Sequence, residues 1–362
     1  MKRENKIAIA TISPVKNRQE IIKKDIVEKI ARKEFSKKIP GIQKLAEYYT
    51  VNPKTVNKAI LALVNEGILY RLGKEGTFVS NSFSSKKTHT ISFLSCSTRS
   101  IAGYDPYYTE ILEGLRCKLE ERGYNLVISN IRHVDFRDFN GDGAILEGIS
   151  QKGEHIETLK KFHIPFLLLD KYSETAQNVS WVSFDYRFGI EKAVKHLIAQ
   201  GFRRILYIGG TSGYWSSANR IKGYKDGLAS AAIPFDKDLI FSRDYTVATG
   251  YAGIVETRKK EKEFDSIICG GFHITLGVLR AFEKIPLKIG KDVGLVGFLD
   301  PPLAAHISPS LTTIKLPLRK IGAVAATTLL QMIETHSQDI VTHTLKPRLL
   351  IRRSSHITEG NQ

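Results

Sequence analysis

Apolar residues Ile21, Ile22, Ile26, Ile30 and Ala31 recur at helical spacing between residues 17 and 35, with Lys23, Lys24, Lys29 and Arg32 at the other positions. This pattern predicts an amphipathic basic helix. A second, shorter helix is expected after Pro40-Gly41, with Ile42, Leu45, Ala46 and Tyr49 facing inward. The third has the strongest start and stop signals: Asn52 as N-cap, Pro53 in the first turn, Val56, Ala59, Ile60, Leu63 and Val64 inward, and Gly67 as the stop. The period then changes. ILYRLGKEGTFVS reads as two short β runs joined through Gly73-Lys74-Glu75-Gly76, a hairpin with glycine where positive φ is expected. Three helices followed by a hairpin make a winged helix.

SNSFSSKKTHT, nearly free of apolar residues, has the composition of a solvated linker, and the domain boundary is placed there. Beyond it the runs ISFLSC, NLVISN, GAILEG, PFLLLD, WVSFD, RILYIGG, DSIICGG and VGLVGF alternate with helical stretches such as TEILEGLRCKLEERG and FGIEKAVKHLIAQG. Strands alternating with helices imply βαβ units and parallel sheets, and this length suits two sheets better than one.

Composition narrows the partners. The chain has 362 residues, 42% hydrophobic and 25% charged, which excludes disordered and fibrous classes. Its net charge of +17 is unevenly distributed: residues 1–90 hold 19 basic and 8 acidic side chains, and the other three quarters are close to balance. A basic excess concentrated on the winged helix points to DNA phosphate. Cys96, Cys117 and Cys269 are odd in number and far apart, so they support neither a disulfide framework nor a CxxC metal site. No apolar run is long enough to span a membrane and the N-terminus lacks a signal-peptide core, so a cytoplasmic protein is expected.

The outward face of the third helix carries Lys54, Thr55, Asn57 and Lys58. Polar residues near a helix N-terminus suit base edges and phosphates in a major groove, while Arg71 and Lys74 on a wing suit the adjacent backbone. The segment KKIPGIQKLAEYYTVNPKTVNKAILALVNEGILYRLGKEGTFV resembles the GntR-type winged helix, with departures at Gly41, Gln43 and Asn52-Pro53. The DNA-binding candidates are Gln43, Lys44, Asn52, Lys54, Thr55, Asn57, Lys58, Arg71, Lys74, Gly76 and Thr77.

The stretch VSFDYRFGIEKAVKHLIAQGFRRILYIGG is similar to the lactose-repressor (LacI) and periplasmic-binding-protein sensor, matching at Asp185, Gly189, Ala193, His196, Leu197, Gly201, Ile205 and Gly209. NRIKGYKDGL, FDSIICGGFHITLGVLRAF, VGLVGFLDPPLAAHISPSLTTIKLPLRKIG and TLKPRLLIRRSS continue the family's motifs in order to residue 353. The resemblance implies an α/β fold: an N-terminal winged helix-turn-helix plus a type I periplasmic-binding-protein-like domain of two doubly wound parallel-sheet subdomains, with ligand at the carboxyl ends of the strands. The expected domains are the head at 1–80, a linker at 81–90 and a sensor and dimerisation domain at 91–355. Subdomain 1 is expected over about 91–172 and 301–330, and subdomain 2 over about 173–300 and 331–353. The implied effector contacts are Asp105, Tyr107, Tyr108, Asp185, Trp215, Arg220, Tyr245, Phe272 and Asp300.

Three departures bear on that cleft. Gly271-Phe272 replaces the common Asn-Asp, and Leu299 replaces the first acid of GFDD. Between NLVISN and GAILEG only IRHVDFRDFNGD remains where the family has a full helix, which predicts at most one turn and a sheet face needing a cover, a dimer partner being one candidate. The loop Gly209-Gly210-Thr211-Ser212-Gly213 has neither phosphate-binding fingerprint, and the histidines form no HExxH pair, so no cofactor or metal is expected. No catalytic constellation supports an enzyme, and a transport solute-binding protein does not carry a winged helix. The expected function is a homodimeric repressor on a palindromic DNA operator, released by a carbohydrate-like effector. The alternative is a DNA-binding regulator with a vestigial sensor.

Overall fold

The computed structural model describes residues 15–356 apart from 33, 81–86, 97–104, 149–153, 172, 174–177, 336 and 338. In the head, α1 (Val15–Ala31), α2 (Ile42–Tyr49) and α3 (Pro53–Asn65) enclose Ile22, Ile26, Leu45, Tyr49, Val56, Ile60 and Leu63. The Asn52 side chain accepts from Lys54 N at 2.9 Å, which satisfies one of the free donors at the start of α3. Tyr49 OH donates to Asp25 Oδ2 at 2.7 Å, and Lys23 pairs with Glu66 at 2.5 Å, so both α2 and α3 are tied to α1. Strands β1 (Leu69–Leu72) and β2 (Gly76–Val79) pair antiparallel with Tyr70 opposite Phe78 and form the wing.

The remainder contains two six-stranded sheets. The first has the order β13 (Thr342–Leu345), β7 (Trp181–Phe184), β6 (Phe166–Leu169), β5 (Gly143–Glu147), β3 (Thr90–Ser95), β4 (Asn125–Asn130), all parallel. The second runs β14 (Arg348–Leu350), β12 (Thr312–Lys315), β11 (Gly294–Phe298), β10 (Ser266–Cys269), β8 (Ile205–Gly209), β9 (Ile240–Ser242), with only β14 antiparallel. Central strands such as GAILE and ILYIG are buried along their whole length, as expected for parallel strands covered on both faces.

The chain passes between the sheets three times: from β7 into α6 (Tyr186–Ala199), from β12 into α10 (Leu318–Thr335), and from β13 into β14. These crossings correct the expected subdomain limits. β7, placed by sequence position in subdomain 2, hydrogen-bonds to β6 and β13 in the first sheet. β12, assigned to subdomain 1, pairs with β11 and β14 in the second. The last turn of α10 and β13 return to the first subdomain, because α10 packs along α4 (Pro106–Glu120). That helix pair meets backbone to backbone: a Cβ on Gly114 would stand 2.1 Å from Arg319 O, so neither helix could approach so closely with a side chain there.

The segment joining β4 to β5 holds two single 3-10 turns, Ile131–His133 and Phe136–Asp138, and no α-helix. The sheet face expected to need a cover is packed by α5 (Glu154–Lys161), by Ile131 and Phe136, and by Tyr70 of the head's own wing. A dimer partner was one candidate cover; these residues cover the face from within the chain. Val127 and Ile128 on edge strand β4 stay exposed.

Candidate nucleic-acid interface and ligand cleft

Helix α3 presents one face to the head core and the opposite face to solvent. Lys54 and Lys58 are exposed there, Thr55 and Asn57 half-buried beside them, and Asn52 is exposed at the N-terminus. Gln43 and Lys44 on α2 are also exposed. Arg71 Nη2 donates to Asn57 Oδ1 at 2.6 Å, which joins the wing to α3 and sets their polar side chains on one continuous surface. Lys74 is exposed at the wing tip, in a turn that passes Gly73 and Gly76 at φ of 46° and 115°. Thr77 is half-buried, and its carbonyl accepts from Ile39 N at 3.0 Å. The eleven DNA-binding candidates lie on α2, α3 and the wing. This surface combines an N-terminal helix end with several exposed cations and no exposed carboxylate except Glu47 and Glu75 on the same elements.

The second site is a cavity of about 740 Å³ between the two subdomains, within the size range of small-molecule sites. Residues at the carboxyl ends of both sheets line it, together with the first turns of α4, α7 (Trp215–Ala229), α8 (Val247–Lys259) and α9 (Phe272–Phe282). Of the effector candidates, Asp105, Tyr107, Tyr108, Trp215, Arg220, Tyr245 and Phe272 face it.

Asp185 and Asp300 are not in that lining, and each is engaged elsewhere. Asp185 caps α6 by accepting from Phe188 N at 3.0 Å. Asp300 accepts from Arg352 Nη1 and Thr313 Oγ1, both at 2.8 Å. Burial alone raises its carboxyl, but these two bonds outweigh it and hold the group below its usual range. The family motif carried both residues into the expected contact set. In this chain they hold the second sheet and its helix in place.

Arg220 is the electrostatic centre of the cleft. Only 5% exposed, its guanidinium lies 4.2 Å from the Tyr186 ring and 4.6 Å from Phe298, and its Nη1 donates to Tyr245 OH at 2.6 Å. Burial opposes its charge, but Tyr245, Tyr186, Tyr207 and Asp170 outweigh that and keep it fully cationic. Tyr245 also shares a 2.8 Å hydrogen bond with Ser217 and packs against Gly210, where a Cβ would lie 2.3 Å from the ring. The glycine pair after β8 therefore makes room for an aromatic wall. Two N–H groups of the lining, Arg220 Nε and Trp215 Nε1, are buried with no acceptor among the described residues.

Three carboxyl groups line the same cavity, and two of them were not anticipated. Glu147 ends β5; its Oε2 accepts from Ser95 Oγ at 2.8 Å and Tyr108 OH at 3.1 Å. Burial pushes its carboxyl up to about 7, against the pull of those two donors. Asp170 follows β6 and accepts from Tyr186 OH at 2.6 Å and Ser183 Oγ at 2.7 Å, and burial raises it as well. Asp105 caps α4 through Tyr107 N and is also raised by burial. The loss of acids at Phe272 and Leu299 is thus offset by acids from the first subdomain. Their signal was available in the strand runs GAILEG and PFLLLD, since residues at the carboxyl ends of parallel strands face the crevice.

Residues 18–79 match the model of bacterial regulatory proteins of the gntR family, and residues 194–355 match that of the periplasmic binding protein-like domain. Catabolite control protein A of Priestia megaterium is 27% identical over 295 residues, 79% of this chain and 87% of that protein. The HTH-type transcriptional regulator CelR of Thermobifida fusca is 24% identical over 278 residues, 74% of this chain and 82% of that protein. Among solved structures, a CelR–cellobiose complex aligns with a TM-score of 0.70 at 23% identity, covering 84% of this chain and 91% of the other. A LacI family transcriptional regulator from Enterococcus faecium with bound ribose aligns at 0.65 and 22% identity, covering 74% and 98%.

Proposed function

We propose that this chain, a DNA-binding transcription regulator that joins a GntR-type head to a periplasmic-binding-protein-like sensor, is a repressor released from its operator by a carbohydrate or carbohydrate derivative. The observation that carries the effector is Arg220: a buried cation against two aromatic rings, with one N–H lacking an acceptor among the described residues, in a cavity whose walls come from both subdomains. Oxygens of a polyhydroxylated ring satisfy Arg220 Nε and Trp215 Nε1 and accept or donate at Glu147 and Asp170, while Tyr107, Tyr108 and Phe272 offer apolar faces. A ligand that touches both walls favours the closed arrangement by its differential affinity, and closure shifts the first subdomains relative to each other.

The repressor acts as a cytoplasmic homodimer on a palindromic operator. Two α3 helices placed about one helical turn apart double the phosphate contacts of one. Among the described residues no helix is long and apolar enough to cross a membrane.

The test begins with selection of bound sequences from random duplexes by the purified protein. Sugars, sugar acids and nucleosides are then screened for thermal stabilisation and operator release, with wild type beside Arg220→Ala. At a hundredfold excess over Kd a ligand adds about 2.7 kcal/mol. Stabilisation of wild type alone supports the reading. If no compound stabilises wild type, the sensor is vestigial and the protein is a DNA-binding regulator without a carbohydrate effector.

A further inference from the structure

The two strands of the wing are apolar on both faces. Leu69 and Val79 point into the head core, whereas Tyr70, Leu72 and Phe78 point away from it. In a two-stranded sheet whose second face meets water, that face is polar. Here Tyr70 and Phe78 stand directly opposite each other in the register, their rings stacked 5.6 Å apart, and Tyr70 is only 8% exposed. The first subdomain buries it. The Tyr70 ring meets Phe162 edge-on at 6.3 Å and His163 at 5.6 Å, in a cluster with Leu94, Leu146 and Leu168 of the first sheet and Leu159 of α5. At the rim Lys37 Nζ reaches Asp138 Oδ1 at 3.0 Å, in the short segment that stands in place of a helix between β4 and β5. The shortened segment leaves the face open, and an aromatic wing fills it.

Docking does not hide the reader. Lys54, Lys58, Arg71 and Lys74 remain exposed with Tyr70 buried, so the contact is compatible with bound DNA. We infer that the Tyr70–Phe162 contact is a fixed joint through which the first subdomain sets the orientation of the DNA-reading head, making Tyr70, Phe78 and Phe162 determinants of the half-site spacing this protein accepts. The inference rests on the two-half-site reading above. A head held by surface contact moves with its subdomain as one body, and a change in the sensor reaches α3 through packed side chains. A head on a linker alone swivels, and two such heads accept a range of spacings.

Two measurements test the joint, each with Tyr70→Ser and with Phe162→Ser, the second leaving the head's own residues untouched. The first is binding to duplexes carrying two selected half-sites at the preferred spacing and with two or five base pairs inserted. Wild type is expected to lose tenfold or more in affinity across the series, and the variants threefold or less. The second is the distance distribution between nitroxides on the exposed Cys117 and on Arg32→Cys, with Cys96 replaced by alanine and labelled chains diluted into unlabelled ones. A single narrow distance in wild type that broadens in both variants supports the joint. A Phe162→Ser protein that keeps the wild-type spacing preference and distribution overturns it. If wild type binds one half-site as tightly as two, the dimeric reading fails, and the nitroxide distances alone decide the joint.

Discussion

The Asp105 carboxylate and the His273 imidazole face each other across the cleft at 3.8 Å, the first from the N-cap of α4 in one subdomain and the second from the first turn of α9 in the other. The two walls approach each other here, next to the cavity. Their side chains are 15% and 34% exposed, so water screens the contact and its contribution stays below about 1 kcal/mol.

The first expectation follows from that contact. Asp105→Asn keeps an oxygen that accepts from Tyr107 N, so the α4 cap survives, but it removes the charge facing His273. Effector affinity is expected to fall by no more than ~5-fold, the equivalent of about 1 kcal/mol. Calorimetric titration of Asp105→Asn, His273→Ala and the double variant checks it. Additive losses would show that the two side chains do not cooperate in closure.

Gly210 carries a second expectation. With a Cβ 2.3 Å from the Tyr245 ring, Gly210→Ala forces the ring aside, and the ring's hydroxyl is the partner of Arg220 Nη1. The overpacking costs ~1–3 kcal/mol of stability. Effector-dependent operator release is expected to weaken tenfold or more, while operator affinity without effector stays within twofold. Paired melting curves and gel shifts separate the two effects.

Gly210 also shows what could be read from the chain and what could not. In the sequence, Gly209-Gly210 is a loop after a strand, and nothing local reveals that Tyr245, 35 positions later, rests on it. By contrast Val56, Ala59, Ile60 and Leu63 on α3 are all buried as the helical period requires, because that pattern is set within a few turns. The strands were legible for the same reason. Their partition between sheets was not: β7 and β12 stay with the strands that precede them before the chain crosses over, and β13 returns to pair with β7, a strand far back in the sequence. Motif matching brought Arg220 and Tyr245 to the cleft, but it also brought Asp185 and Asp300, which serve as a helix cap and an arginine partner. Tyr70 read as one more wing residue, because its burial depends on a helix missing 60 positions downstream.

Glu147 predicts a pH dependence. Its folded carboxyl is held up at about 7, whereas an unfolded glutamate titrates near ~4.3. With the folded value raised, its favourable contribution is fully present below about 4.3, where both states are protonated. It is lost as pH rises through 7, where the folded state must bury a carboxylate. The melting temperature of wild type is therefore expected to fall relative to Glu147→Gln between pH 4.5 and 7.5. The two proteins should differ least at the acid end. Parallel pH profiles of the two melting temperatures would contradict the assignment.

The reading face yields the last expectation. Lys54 and Lys58 stand one turn apart on the exposed side of α3, close to its N-terminus, where free N–H groups add to their attraction for phosphate. Each lysine that neutralises one phosphate contributes about 0.9 to the slope of log K against log salt. Replacing both by alanine is expected to lower that slope by ~2 per head and to weaken binding most at low salt, where counterion release is strongest. Asn57 and Arg71, held together at 2.6 Å, predict a different outcome: Asn57→Ala removes a group proposed to meet base edges and frees Arg71, so discrimination among operator variants is expected to fall while the salt slope stays within ~0.5 of wild type. Fluorescence anisotropy between 50 and 300 mM salt, on the selected operator and on single-base variants, measures both. An unchanged slope for the double lysine variant would show that α3 does not face the phosphate backbone.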